Sequence, residues 1–234
     1  MKKIYFIILL LIIPIVSSAQ IVLDSIPLKD EMSYVFYADN TIEDKITNAK
    51  TWIATAFGDY KSVLQFEDNQ SGRIVIKGHI PASEIKTEWV AIRSEYLFTM
   101  IFDIKEDRYR IKFEDIISKR SIFYENNTTY IKQTIDKYLN DVCLSDIDKE
   151  ELGITDCEKR LKKTQSYIDF YKNKKAESKY REQYTKLTLE LKELEAKGET
   201  RILKYKQERA DEYKNTFFNI LKSASDKISE SDIF

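Results

Sequence analysis

A chain of 234 residues has room for one or two domains, and with 43% hydrophobic and 12% aromatic residues it can bury enough apolar area to exclude disorder. Lys+Arg 38 against Asp+Glu 39 leaves a net charge of −1, so no overall basic field points to nucleic acid as a partner. One His and two Cys are too few for a His/Cys metal centre, and 5 Gly leave little for phosphate-cradling loops; no cofactor is implied.

The first twenty residues have the layout of an export leader. Lys2 and Lys3 precede an apolar run from Ile4 to Val16, and Ser17-Ser18-Ala19 supplies the small residues a signal peptidase reads. The run is about 13 residues, short of the ~20 that a spanning helix needs. Residues 1–19 are therefore expected to be removed, leaving a mature chain from Gln20 with no membrane span. The expected location is periplasmic or secreted.

Residues 20–123 read as one α+β sheet domain. Ser33 to Tyr37 is β-rich, and Asn40 or Thr41 can cap a helix running to Phe57, with Glu43 or Asp44 as reciprocal partner. Ile42, Ile46, Ala49, Ile53 and Ala56 step by helical intervals, with Trp52 and Phe57 widening the stripe, so this helix is expected to cover a sheet. Val63 to Glu67 and Arg73 to Ile80 flank a turn at Asp68 to Gly72 and predict a hairpin. After a loop from Pro81 to Glu88, Tyr96, Phe98, Met100, Phe102 and Ile104 alternate with less apolar neighbours. Lys105-Glu106-Asp107 then turns the chain into Arg108 to Glu114, where Tyr109, Ile111 and Phe113 share a face. Hairpin-linked strands with helices on one face make an α+β layer, not a βαβ fold.

Several short runs of this segment, Ala49-Lys50-Thr51-Trp52, Val63 to Asp68, Gly72-Arg73-Ile74 with Lys77-Gly78, and Lys105 to Arg110, carry a family resemblance in their order and spacing. Over roughly residues 30–116 the chain resembles a family of exported proteins of Bacteroides-type bacteria, a domain of unknown function with a TATA-binding-protein-like fold. The resemblance implies a curved antiparallel sheet with helices packed on one face. It implies no activity, and a shared fold does not by itself supply DNA binding.

Residues 124–234 read as a charged helical extension. Tyr130, Ile131, Ile135, Tyr138 and Leu139 predict a short amphipathic helix, and 159–197 a charged arm that projects or folds back as a hairpin. Tyr180, Tyr184, Leu187, Leu191 and Leu194 form a two-heptad seam that Gly198 is expected to interrupt. Tyr213, Phe217, Ile220 and Ala224, beside Phe218 and Leu221, predict a terminal helix packing back on the sheet.

Few residues suggest chemistry. In an oxidising compartment Cys143 and Cys157 can pair, closing a loop of about 15 residues worth roughly 3 kcal/mol; the alternative is two unpaired thiols. His79 stands alone on the polar face of a strand. Asp146, Asp148, Glu150 and Glu151 lack the pattern of a calcium loop and read as a solvated helix start. Lys159, Arg160, Lys162, Lys163, Lys172, Lys174 and Lys175 surround Tyr167, Phe170 and Tyr171, either as a patch for an anionic glycan, lipid head group or acidic protein, or as a solvated face whose aromatics pack inward. No nucleophile elbow, P-loop or dinucleotide fingerprint occurs in the sequence. The reading is an exported, non-catalytic binding or protein-interaction module of the bacterial cell envelope, meeting a protein partner or itself through the 180–194 seam. The alternatives are a carrier holding a small apolar ligand between sheet and helix, lined by Tyr96, Phe98, Phe102 and Phe113, and a small envelope hydrolase.

Overall fold

The computed structural model describes residues 21–86, 90–124 and 127–231; the expected leader, residues 1–19, lies outside the described residues. Strand β1 (Met32–Tyr37) leads to helix α1 (Ile42–Phe57), whose start is set by a reciprocal cap. The Thr41 hydroxyl oxygen accepts the Asp44 N–H at 3.1 Å, and the Asp44 carboxylate accepts the Thr41 N–H at 3.3 Å. After a single turn, α2 (Tyr60–Val63), strands β2 (Leu64–Asp68), β3 (Arg73–Lys86), β4 (Val90–Ile104), β5 (Arg108–Tyr124) and β6 (Asn127–Thr134) follow. Gly72 makes the β2–β3 turn possible: its φ is 67°, and an added Cβ would stand 2.3 Å from the Ile104 carbonyl oxygen.

Three strand boundaries differ from those the sequence suggests. Strand β3 continues past Pro81, which pairs with Glu95, and its register shifts between Pro81 and Glu84. A proline without an N–H sits beside such an irregularity at little cost. Strand β5 runs to Tyr124, and β6 occupies the first half of the expected 130–139 helix, so the sheet extends beyond residue 123 to Thr134. Thr128, Thr129, Tyr130 and Ile131 are β-branched or aromatic and pair well on a pleated surface; helix α3 (Ile135–Asn140) starts only where the Thr134 side chain caps it.

The result is an open six-stranded antiparallel sheet in the order β1-β5-β4-β3-β2, with β6 also on β5. One edge of β5 holds β1 along Arg108 to Phe113 and β6 along Ile117 to Tyr124. Between them β5 bulges, with Asp115 at φ 53°. Asp30 bridges this gap: its carbonyl accepts the Ile116 N–H at 2.9 Å and its carboxylate the Ile135 N–H at 2.7 Å.

Helices cover one face. Ile74, Ile76, Tyr96, Phe98, Met100, Phe102, Ile104, Tyr109, Ile111 and Phe113 all point there and are buried. Above them lie α1 and the C-terminal half of α6 (Ala176–Ile228), which follows α4 (Asp146–Glu151) and α5 (Ile154–Phe170). The buried stripe of α6 is Tyr213, Phe217, Leu221, Ala224 and Ile228, turned by one position from the expected Ile220. Phe217 sits among Phe98, Phe113, Tyr96 and Tyr213 with ring centroids 4.7–5.9 Å away. Helix α1 closes the other flank: Trp52 donates to Ser223 at 3.0 Å, and Asn40 and Asn48 donate to the carbonyls of Ile228 and Glu230 at the end of α6. Lys45 is fully buried, with its ammonium donating to the carbonyls of Asn40 and Glu106. It pins the start of α1 to the β4–β5 turn. Truncating Phe217 removes a ring from a closed cluster. Phe217→Ala is expected to lower unfolding free energy by about 3–5 kcal/mol in urea titration.

Candidate functional site

The sheet face opposite the helices carries alternating side chains that meet solvent, and at one end they converge. Strand register places Asp103 opposite both Arg73 and Arg110. Arg73 Nε donates to Asp103 Oδ1 at 2.7 Å and Arg110 Nε to Oδ2 at 3.0 Å. Burial pushes the Asp103 carboxyl up, but the two guanidinium hydrogen bonds outweigh it and hold the group below the usual carboxylate range. Lys105 and Arg108 stand beside this triad, with Arg108 only loosely paired to Asp107 at 4.0 Å. Together with Val35, Tyr37 and Ser71 they line an open cleft of about 610 Å³. Four cations face one carboxylate there, and Tyr37 is 54% exposed, so a flat apolar ring is offered next to guanidinium forks.

None of these cleft residues was singled out as a site from sequence. A signal was present: counting back from the Glu106-Asp107 turn puts Asp103 opposite Arg110, and like facing puts both on the uncovered side. That turn closes through a Lys105 N–H to Arg108 carbonyl bond of 2.8 Å, and neither of its central residues has positive φ. His79 lies on the same uncovered face and is exposed.

The residues singled out in the helical extension meet different fates. Cys143 is exposed and Cys157 buried, and both thiols are free. The 143–157 bond is not formed because Cys157 faces inward from α5, its thiol donating to the Leu187 carbonyl at 3.5 Å. Burial pushes that thiol up, away from the reactive thiolate. The 180–194 seam is not a free docking face, because α5 folds back against it as a helical hairpin. Leu187 is buried, Tyr184, Leu191 and Leu194 are half-buried, and Tyr180 stacks on Tyr171 and Tyr167 at 5.5 and 5.0 Å. Gly198 does not interrupt the helix: α6 runs through it. Its missing side chain admits Leu144, whose Cδ1 would lie 2.5 Å from a Cβ there.

The acidic cluster is also accounted for. Ser145 and Asp148 form the cap of α4, and Arg201 of α6 reaches Asp148 at 3.1 Å and Glu151 at 3.0 Å. Hydrogen bonding from Ser145 and the Arg201 charge hold Asp148 below its ordinary range. Among the described residues no group of His, Cys, Asp or Glu has the arrangement of a metal site. Within the basic patch, Arg160 is spent on Glu190 at 3.0 Å, whereas Lys159, Lys162, Lys163, Lys172, Lys174 and Lys175 are exposed. Its aromatics do not all pack inward, since Phe170 is 69% and Tyr167 38% exposed.

Tyr96, Phe98, Phe102 and Phe113, which would line a carrier cavity, pack on one another, on Trp52 and on Phe217. Helix α6 sits where an apolar cargo would lie. Beside this core, Arg209 and Arg120 flank the Tyr138 ring at 4.9 and 5.8 Å. Glu212 is close by with a buried Oε1 lacking a hydrogen-bond partner. Burial raises the Glu212 carboxyl despite the Ser83 hydroxyl and the Arg209 charge. A raised carboxyl favours the folded state below its unfolded value, and that contribution is lost as pH rises through the folded value. Glu212→Gln is therefore expected to melt higher than the natural protein at neutral pH, with the difference vanishing below about pH 4; melting curves across that range check it.

The fold so built is an α+β antiparallel sheet with helices on one face and the other face open, the TBP-like arrangement. Residues 34–119 match the family described as a domain of unknown function (DUF4468) with TBP-like fold, which bears out the resemblance read from the residues. The match ends within β5 and leaves α3 to α6 outside it. A TBP-like protein from Parabacteroides distasonis is similar at 15% identity and TM-score 0.33, over 47% of this chain and 67% of that one. A DUF4468 family protein from Bacteroides ovatus is similar at 15% identity and TM-score 0.34, over 53% and 71%. No curated protein matches the chain.

Proposed function

We propose that the protein is an exported, non-catalytic binding module of the bacterial cell envelope whose ligand surface is the arginine cleft on the open sheet face. The observation that carries this reading is the convergence of Arg73, Arg108, Arg110 and Lys105 around one carboxylate that is already shared. Asp103 consumes part of two guanidinium groups and orients them, leaving Arg108 and Lys105 as uncommitted donors. The matching ligand carries carboxylate or phosphate groups beside a ring or alkyl surface for Tyr37 and Val35. The leader pattern of residues 1–19 supports export, and the absence of any recognised nucleophile or cofactor motif in the sequence supports a binding role over catalysis.

Titration with oligogalacturonate and, separately, with inorganic phosphate is expected to shift the side-chain N–H signals of Arg73, Arg108 and Arg110. Replacing Arg108 and Lys105 with Ala should weaken binding about tenfold or more, as loss of charge-assisted hydrogen bonds requires. Unmoved arginine signals with both probes would count against the cleft. Separately, the protein recovered from an exporting host should begin at Gln20 by N-terminal sequencing; recovery from the cytoplasm with Met1 in place would count against export.

A further inference from the structure

The helical hairpin ends in a feature that the cleft does not use. Helix α5 runs about 25 Å and packs on α6 and α4, with no comparable contact to the sheet. At its far end the chain turns through residues 171–175, where Asn173 takes φ 69°. Tyr171 stacks on Tyr180, and Tyr167 lies 5.0 Å from Tyr180, so these three rings brace the end of the hairpin. Phe170 packs only its edge on Tyr171 and stands 69% exposed.

Charge is concentrated in the same place. From residue 162 to 181 there are seven cations and two carboxylates, in a chain whose net charge is −1. Both carboxylates are engaged: Glu177 accepts from Arg181 and from the Asn173 N–H, and Asp169 accepts from Gln165. The lysines among these cations are exposed, and no ion pair among the described residues engages them. Lys174 lies 5.5 Å from the Phe170 ring and Lys163 6.0 Å from that of Tyr167, so ammonium groups rim the exposed rings.

We propose that this tip docks on an anionic lipid bilayer, with Phe170 entering the interface and the lysines on the head groups. Charge complementarity selects an anionic partner. Among such partners a bilayer fits the tip, because its exposed Phe170 ring and the neighbouring ammonium groups stand together at one end of the hairpin. A soft surface needs no matching relief, and one aromatic ring beside a ring of ammonium groups suits its apolar and charged layers. Among the described residues no helix is long and apolar enough to cross a membrane, so the contact is peripheral.

The test is flotation of the chain from Gln20 to Phe234, which holds every described element but not the apolar 4–16 run. Vesicles of phosphatidylethanolamine with phosphatidylglycerol are expected to carry the protein, and vesicles of phosphatidylcholine alone are not. Binding should fall as salt rises. Replacing Lys172, Lys174 and Lys175 together with Glu should weaken it about a hundredfold, and Phe170→Ser about tenfold. With Phe170→Trp, the indole emission should shift to the blue on anionic vesicles only. Unchanged melting temperature of each variant confirms that the sheet core is intact. Equal binding to both vesicle types, full binding by the triple variant, or no vesicle binding while soluble polyglutamate is bound would each overturn the proposal, the last in favour of an acidic protein. Arginine-cleft variants should bind vesicles normally, so this outcome stands apart from that of the cleft.

Discussion

The architecture depends on one packing event, the burial of Phe217 between Tyr96, Phe98 and Phe113. The sheet alone presents a continuous apolar face, and α1 covers only one flank of it through Ile46, Ala49, Trp52 and Ile53. The remaining aromatic strip of β4 and β5 stays exposed until the last thirty or so residues return across it. Because Phe217 contacts rings from two adjacent strands and its own neighbour Tyr213, the helix can settle in only one rotation. The polar bonds follow from that placement. Tyr109 reaches Ser225 and Ser229, Tyr213 reaches the Lys29 carbonyl, and Asn40 and Asn48 satisfy the terminal carbonyls of α6. Each is a group that burial would otherwise leave unpaired.

Covering one face fully is what frees the other. With the core complete on the helix side, the uncovered face can carry Arg73, Asp103, Arg108 and Arg110 without any demand for burial. Two arginines sharing one carboxylate hold each other's forks in place, and rigid strands position them more exactingly than a loop would. The same helix that completes the core also extends beyond it. Running 53 residues without a break, α6 leaves the sheet at one end and supports α5 at the other, so the open sheet face and the arm tip are separate surfaces on one framework.

Much of this organisation was legible in the residues. A capped helix start at Asn40 or Thr41, the length of α1, the alternating aromatics of β4 and the return of a terminal helix all rest on local patterns, which sequence displays directly. The family resemblance over the sheet segment added the right fold. What escaped were features set by pairing. Pro81 and residues 130–134 look like a loop and a helix in isolation, and become strand because β4 and β5 extend beside them. Gly198 looks like a helix breaker until Leu144 fills its place, and spacing leaves Cys143 and Cys157 open to pairing or not until α5 turns Cys157 toward Leu187.

The sequence by itself determined helix α1, the alternating aromatics of β4, the division into an apolar sheet layer and a charged helical extension, and the apolar seam of α6, because these depend on spacing along the chain. Only the tertiary structure decided that Arg73 joins Arg110 on Asp103, that α5 closes the seam internally, and that Phe170 is left outside the packed rings. Those outcomes depend on the register of β3 against β4 and on helix rotation, which bring together residues far apart in the chain, as Arg73 and Asp103 are. No count along the chain contains that information.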